Sequence, residues 1–223
     1  GIRLALSDGA SESYNSRLWA RIISQRFTID PKFGMDWLAA ALSEYIATHN
    51  IPMMSWSQQL AFERGSFATL LGVEYDPIHH AVDVLAIGDC IALLVDGDEL
   101  VRAWPFTDPE RFKEHPTLLA TLPVHNTFIV EPGFWIKSVQ TFHMDAYREP
   151  RLYCMTDALG EWALRHALAR TDGLARISAL TSQDELCCLV AEERAAKRMR
   201  VDDSTLIILS FGRLLTSDGV SVS

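Results

Sequence analysis

Asp8, Asp157 and Asp202 are the residues whose types and settings point to shared chemistry. Each stands at the end of an apolar run. Arg3-Leu4-Ala5-Leu6-Ser7-Asp8-Gly9 stops abruptly at Asp-Gly, and Leu152-Tyr153-Cys154-Met155-Thr156-Asp157 ends in an aspartate. Asp202-Asp203-Ser204-Thr205 opens the run Leu206-Ile207-Ile208-Leu209. Short apolar runs bounded by turn residues read as buried strands, and strand ends are where sites form in layered α/β folds. Singly, each aspartate has an ordinary explanation: a turn at Asp8, a helix cap at Asp157, a strand-entry turn at Asp202. Together, on neighbouring strands, they repel and raise one another's pKa. At an effective dielectric near 20, each close pair costs on the order of a few kcal/mol. A divalent cation removes that cost, and ligands that are all oxygen favour Mg²⁺ or Mn²⁺ over Zn²⁺. Two such ions can share a water, lower its pKa and aim it at phosphorus.

The elements that must position these residues follow from periodicity and turn signals. Ser11 to Arg26 has Leu18, Trp19, Ile22 and Ile23 at helical spacing, with Ser11 or Ser13 as its cap. Met35 to His49 predicts a second helix, and Ser57 to Arg64 a third. Strands are expected over Ser66 to Tyr75, Ala81 to Ala86, Ile91 to Val95, Glu99 to Trp104, Trp135 to His143 and Thr205 to Phe211. Asp96-Gly97-Asp98 is a hairpin signal. Pro105 to Asn126 reads as a loop with a short helical piece near Glu110 to Glu114. Gly160 to Ala169 and Ser182 to Met199 complete the helices, the latter capped by Ser182 with Glu185 in a capping box. Helices come early and late, and strands cluster between them. That order predicts an α+β sandwich, with helices outside paired antiparallel sheets. A doubly wound sheet, which needs stricter alternation, ranks second.

Composition narrows the function classes. The chain of 223 residues carries 48% hydrophobic residues and a formal net charge of -9, enough for one full core and contrary to bulk nucleic-acid affinity. No apolar run approaches the ~20 residues that span a bilayer, and the sequence opens in a strand rather than a signal peptide. Cys90, Cys154, Cys187 and Cys188 sit in apolar stretches without a Cys-x-x-Cys pair. Buried, reduced thiols in a cytoplasmic protein are therefore expected. No Walker loop, Gly-x-Ser-x-Gly elbow or His-Glu-x-x-His is present. His79-His80 reads as a loop pair, and Arg194, Lys197, Arg198 and Arg200 as cations suited to a helix C-terminus.

The motifs, in this order, resemble those of the metal-dependent protein phosphatases of type 2C, the PPM family. Ser7-Asp8-Gly9 is similar to the family's first Asp-Gly, and Gly65-Ser66-Phe67-Ala68-Thr69 to its Gly-Ser-Thr-Ala strand. Ala86-Ile87-Gly88-Asp89-Cys90 is similar to its Gly-Asp-Ser, Met155-Thr156-Asp157-Ala158-Leu159 to its Ser-Asp-Gly-Leu, and Asp202-Asp203-Ser204-Thr205 to its Asp-Asn-x-Thr. The resemblance spans nearly the whole chain, with a phosphatase domain over 1–213 and a polar tail over 214–223.

The resemblance implies a four-layer α-β-β-α sandwich with two central antiparallel sheets. It implies that Asp8 bridges two Mn²⁺ or Mg²⁺ ions, that the Gly9 carbonyl contacts the second, and that Asp157 and Asp202 complete the shell of the first. Asp89 would help hold a third, weaker ion. Asp8, Asp157 and Asp202 are the expected catalytic set, and phosphoserine or phosphothreonine of a protein the expected substrate, hydrolysed in one step by metal-activated water. Neither nucleic acid nor a membrane is an expected partner.

This chain departs from the pattern in three places. Ala10 replaces a frequent histidine, Ala158 follows Asp157 where glycine is usual, and the strand or strands that carry a phosphate-binding arginine and an acidic pair would precede the first residue given. Two other readings stay open: a non-catalytic or regulatory module of the same fold that binds a protein partner, and a phosphatase of small phosphorylated metabolites.

Overall fold

The computed structural model describes residues 1–212; the tail expected over 214–223 lies outside them. Two four-stranded antiparallel sheets form its centre. The first has the order β1-β3-β4-β8, from β1 (Ile2–Leu6), β3 (Leu70–Asp76), β4 (Ala81–Ile87) and β8 (Val139–His143). The second has the order β10-β9-β5-β6, from β10 (Leu206–Ser210), β9 (Pro150–Met155), β5 (Ile91–Asp96) and β6 (Glu99–Trp104). A small ribbon pairs β2 (Phe67–Ala68) with β7 (Leu119–Ala120).

Side chains alternate between the faces of each strand, and the core divides accordingly. Leu71, Val73, Val82, Val84, Ala92, Leu94, Leu152 and Cys154 point into the space between the sheets. Leu70, Leu85 and Ile87 point outward from the first sheet against α1 (Ser16–Ile29) and α2 (Met35–Ala47). Ile91, Leu93, Tyr153 and Met155 point outward from the second, against α5 (Asp157–Leu168), α6 (Gly173–Ser178) and α7 (Gln183–Ala195). Three apolar layers between four structural layers make the α-β-β-α sandwich that the sequence predicts. Each fully buried Leu, Ile or Val contributes roughly 1.5–3 kcal/mol.

Several boundaries differ from expectation for identifiable reasons. The first helix begins at Ser16 rather than Ser11: Gly9 makes an isolated bridge to Ala68, the Ala10 N–H donates to the Phe67 carbonyl at 2.9 Å, and residues 11–15 form turns. Its cap is Asn15 in the left-handed region, not Ser11 or Ser13. The expected strand over Ser66 to Tyr75 is broken at Thr69, between β2 and β3. Trp135 to Ser138 is helical, in α4 (Phe134–Ser138). Phe134 and Ser138, four apart, are buried, which turns Trp135 and Ile136 to solvent. The third helix expected, α3 (Trp56–Glu63), starts one residue early, with a full capping box from Ser55 and Gln58. The box expected at Ser182 forms by half: Ser182 accepts the Glu185 N–H, but the Glu185 carboxylate turns to the N–H and hydroxyl of Thr181. Cys90 and Cys154 are buried, whereas Cys187 and Cys188 are exposed on α7, whose apolar stripe runs through Leu189 and Val190 instead.

The edge strands β1 and β10 lie on the same side of the sandwich. Ile2, Leu4, Leu209, Phe211 and Gly212 line one shallow groove there, and the Tyr75 and Phe211 rings meet at 5.3 Å. Among the described residues no helix is long and apolar enough to cross a membrane.

Candidate active site

Four segments from both sheets converge at one end of the sandwich. Asp8 lies two residues beyond the end of β1. It is fixed by two reciprocal bonds: its N–H donates to the Thr69 hydroxyl at 2.8 Å, and its carbonyl accepts the Thr69 N–H at 2.8 Å. The Ser7 hydroxyl adds a third, to the Thr69 carbonyl at 2.5 Å. Gly9 is required by space: a Cβ there would stand 2.7 Å from the Ser16 carbonyl carbon, at the start of α1.

Asp89 sits in the short connection from β4 to β5, which crosses from one sheet to the other. Gly88 before it has φ 101°, and a Cβ would meet the Thr69 methyl at 2.7 Å. Glycine alone suits both conditions.

Asp157 is the first residue of α5, not its cap; Thr156 holds the cap position, and the Asp157 carboxylate accepts the Ala158 N–H at 2.6 Å. Asp202 lies in the loop between α7 and β10. That loop is tied to the β9–α5 junction by Thr156, whose hydroxyl donates to the Asp203 carbonyl at 3.1 Å and accepts the Thr205 N–H at 3.0 Å. It is also tied to α7 by Arg194, whose guanidinium reaches the carbonyls of Arg200 and Asp202 and the Ser204 hydroxyl.

Three of the aspartates are raised by burial and by neighbouring carboxylates. Asp8 is pushed up to about 6, first by burial and then by Asp157, Asp202, Asp89 and Asp203. Asp89 is also pushed up to about 6, by burial and then by Asp157, with Arg200 opposing. Burial raises Asp157 as well, against Arg200 and the Ala158 N–H. Among the described residues, however, no three His, Cys, Asp or Glu side chains close around one point as a formed metal shell. Arg200 also enters the cluster. Its Nη2 lies 2.7 Å from Asp157 Oδ2 and its Nε 3.1 Å from Glu161 Oε2.

The donor set nonetheless suits a hard divalent ion by its chemistry. It is all oxygen, Asp8, Asp89 and Asp157 are half-buried while Asp202 is exposed, and Asp8 has no cationic partner among the described residues. Beside the cluster opens a polar cleft of about 500 Å³ between α1 and the loop that holds Asp203. Asp8 and Asp203 stand on one wall and Arg17 and Arg21 of α1 on the other. Neither arginine makes an ion pair among the described residues.

Sequence reasoning missed Thr69, Thr156, Arg194 and Arg200 as parts of this site. Thr69 and Thr156 lie inside motifs that were visible, but their hydroxyls act only across the fold. Arg194 and Arg200 have more specific partners than a helix dipole, and no local pattern names them. His80, from the loop pair, is buried and bonds Asp145 far from the aspartates.

No family model and no curated protein matches this sequence. Solved structures do match. Serine/threonine phosphatase Stp1 from Staphylococcus aureus superposes with a TM-score of 0.55 at 14% identity, over 95% of this chain and 84% of that one. The serine/threonine phosphatase PstP/Ppp of Mycobacterium tuberculosis gives 0.53 at 16% identity, over 94% and 87%. The catalytic domain of the serine threonine protein phosphatase PstP, in complex with two manganese ions, gives 0.50 at 14% identity, over 94% and 86%. At such identities the likeness establishes the fold, which is that of the type 2C phosphatases.

Proposed function

We propose that this chain is a metal-dependent phosphoprotein phosphatase that hydrolyses phosphoserine and phosphothreonine. One observation carries the reading: Asp8, Asp89, Asp157 and Asp202, from four separate segments of two sheets, gather at one end of the sandwich, beside a polar cleft that Asp8 and Asp203 line. Gathered like charges cost stability, and among the described residues Arg200 pairs with Asp157 alone of the four, so a ligand that needs the carboxylates best explains their collection.

Asp8, Asp157 and Asp202 would hold two ions, Mn²⁺ or Mg²⁺, with the Gly9 carbonyl on the second and Asp89 at a third, weaker position. When bound, the ions supply charge neutralisation at the phosphoryl oxygens and a water of lowered pKa. The chain's own residues do the rest. Thr69 and Thr156 fix the segments that carry Asp8, Asp202 and Asp203. Arg17 and Arg21, one turn apart on the face of α1 opposite buried Trp19 and Ile23, offer forked donors to a phosphoryl group in the cleft.

The test is turnover of p-nitrophenyl phosphate with added Mn²⁺, then of a phosphopeptide beside nucleotides and sugar phosphates. Metal-dependent hydrolysis with the phosphopeptide preferred, lost in Asp157→Asn, is expected. Preference for the small phosphates would move the reading to a metabolite phosphatase. The Arg200–Asp157 contact favours a second reading, a non-catalytic module of this fold that binds a protein partner; it predicts no turnover with any ester at any Mn²⁺ concentration.

A further inference from the structure

Arg200 reaches the acidic cluster from the loop that also carries Asp202. Its side chain is 43% exposed, but the oxygens it grips are deeper: the Asp157 and Glu161 side chains are 13% and 14% exposed. The grip is not accidental to a floppy loop, because Arg194 Nε holds the Arg200 carbonyl at 3.1 Å. Nor does a helix dipole explain it. Asp157 is the first residue of α5, where a cation is disfavoured. Asp157 in the first turn and Glu161 four residues on together overcome that preference.

The two carboxylates are not equally dependent on Arg200. Glu161 has a second cation, Arg165, whose Nη2 lies 2.8 Å from Oε1. Asp157 has no other cationic partner among the described residues. Arg200 can therefore release Asp157 while it keeps Glu161, and Glu161 is never left unpaired.

We propose that Arg200 is a built-in competitor for the metal site: its guanidinium and a divalent ion are alternative occupants of the Asp157 carboxylate. This rests on the reading of Asp157 as a metal ligand. In this arrangement Arg200 compensates the cluster while metal is absent and lowers the apparent metal affinity by the fraction of molecules in which it is seated. A guanidinium seated in nine molecules of ten weakens apparent binding about ten-fold.

Calorimetric titration of Mn²⁺ into the parent, Arg200→Gln and Arg200→Lys tests this. Arg200→Gln should bind Mn²⁺ about ten-fold more tightly, and its metal-free form should melt below the parent. Arg200→Lys, which keeps the charge but loses the fork, should fall between. In the parent itself, an NMR titration with Mg²⁺ should move the Arg200 Nε–H signal in step with binding, whether or not the variants fold. Equal Mn²⁺ affinity in parent and Arg200→Gln, or an unmoved Nε–H signal at saturating Mg²⁺, would overturn the competition and leave the metal site intact. Absence of binding in all three proteins would instead remove the metal reading, and this inference with it. Binding by Arg200→Gln alone would support the competition in its strongest form.

Discussion

Asp8 and Thr69 hold each other by the backbone and by one hydroxyl: the Asp8 N–H meets Thr69 Oγ1 at 2.8 Å while the Thr69 N–H meets the Asp8 carbonyl at 2.8 Å. Thr69 is 3% exposed and its hydroxyl also lies 3.0 Å from Cys90 Sγ. Thr69→Val keeps the shape and leaves the Asp8 N–H without an acceptor. A buried donor left unpaired costs about 1–3 kcal/mol. Urea unfolding should show a loss in that range, Mn²⁺ affinity should fall with it, and Thr69→Ser should restore both. A valine variant with parental stability and affinity would show that the clamp positions nothing.

The aspartate cluster sets a pH dependence in the metal-free protein. Asp8 and Asp89 have an ordinary value of 3.8 and are raised to about 6 when folded. Between those values the native state binds more protons than the unfolded chain, so these groups make stability fall as pH rises from about 4 to about 6. The metal-free melting temperature should therefore rise from pH 7 to pH 5. Asp8→Asn should flatten part of that slope, because it removes one of the raised groups. Protons and Mn²⁺ compete for the same oxygens, so the stabilisation by Mn²⁺ should shrink below about pH 6. An identical slope in parent and Asp8→Asn would contradict the coupling.

Glu193 behaves in the opposite sense. It is fully buried on α7, accepts from Trp162 Nε1 at 3.0 Å, and is gripped by Arg176 and Arg198. Arg198 first, with Arg176 and Trp162, holds its carboxyl down at about 2. Its stabilisation is present above about pH 4.5 and is lost as pH falls toward 2. Glu193→Gln should cost about 2 kcal/mol at neutral pH, a charge-assisted bond's worth after allowance for the partly exposed arginines. It should leave Mn²⁺ affinity unchanged, because it lies away from the cleft. Calorimetric melting and a Mn²⁺ titration read the two effects separately.

Thiol accessibility gives a direct check on the helical layer. Cys187 and Cys188 are exposed and Cys90 and Cys154 buried, and burial pushes the two buried thiols further up, Cys154 to about 12. Ellman's reagent should modify two thiols in the native protein and all four in denaturant. Cys187→Ser with Cys188→Ser should abolish the native reaction.

The fold was legible because its signals are local. Asp96-Gly97-Asp98 sits between apolar runs, and the hairpin β5–β6 forms there. Alternation along β4, β5 and β9 separates the faces that become different core layers. The Trp135 stretch is helical although Trp and Ile suit strands, because burial at Phe134 and Ser138 has helical spacing. Cys187-Cys188 looked buried because small apolar residues surround it in sequence, although the helix turns its apolar stripe elsewhere. At the site, the aspartates were visible as strand ends. Arg200, by contrast, meets Asp157 across 43 residues of chain, and Thr69 meets Asp8 across 61. Such contacts depend on the docking of the sheets, which no window of sequence contains.

The side-by-side position of β1 and β10 has a consequence for how the chain can be written. Ile2 and Gly212 line the same groove, so a short linker could join one end of the described chain to the other. New ends could open at the β3–β4 turn, where Ile78 is 83% exposed. In such a circular permutant Asp202, β10, the linker, β1 and Asp8 would follow one another as a single stretch. Every strand would keep its partners, since β1 pairs with β3 and β10 with β9. The order of the aspartates along the polypeptide is thus separable from their arrangement in space, and two of the distant site segments could be made neighbours by rewiring alone.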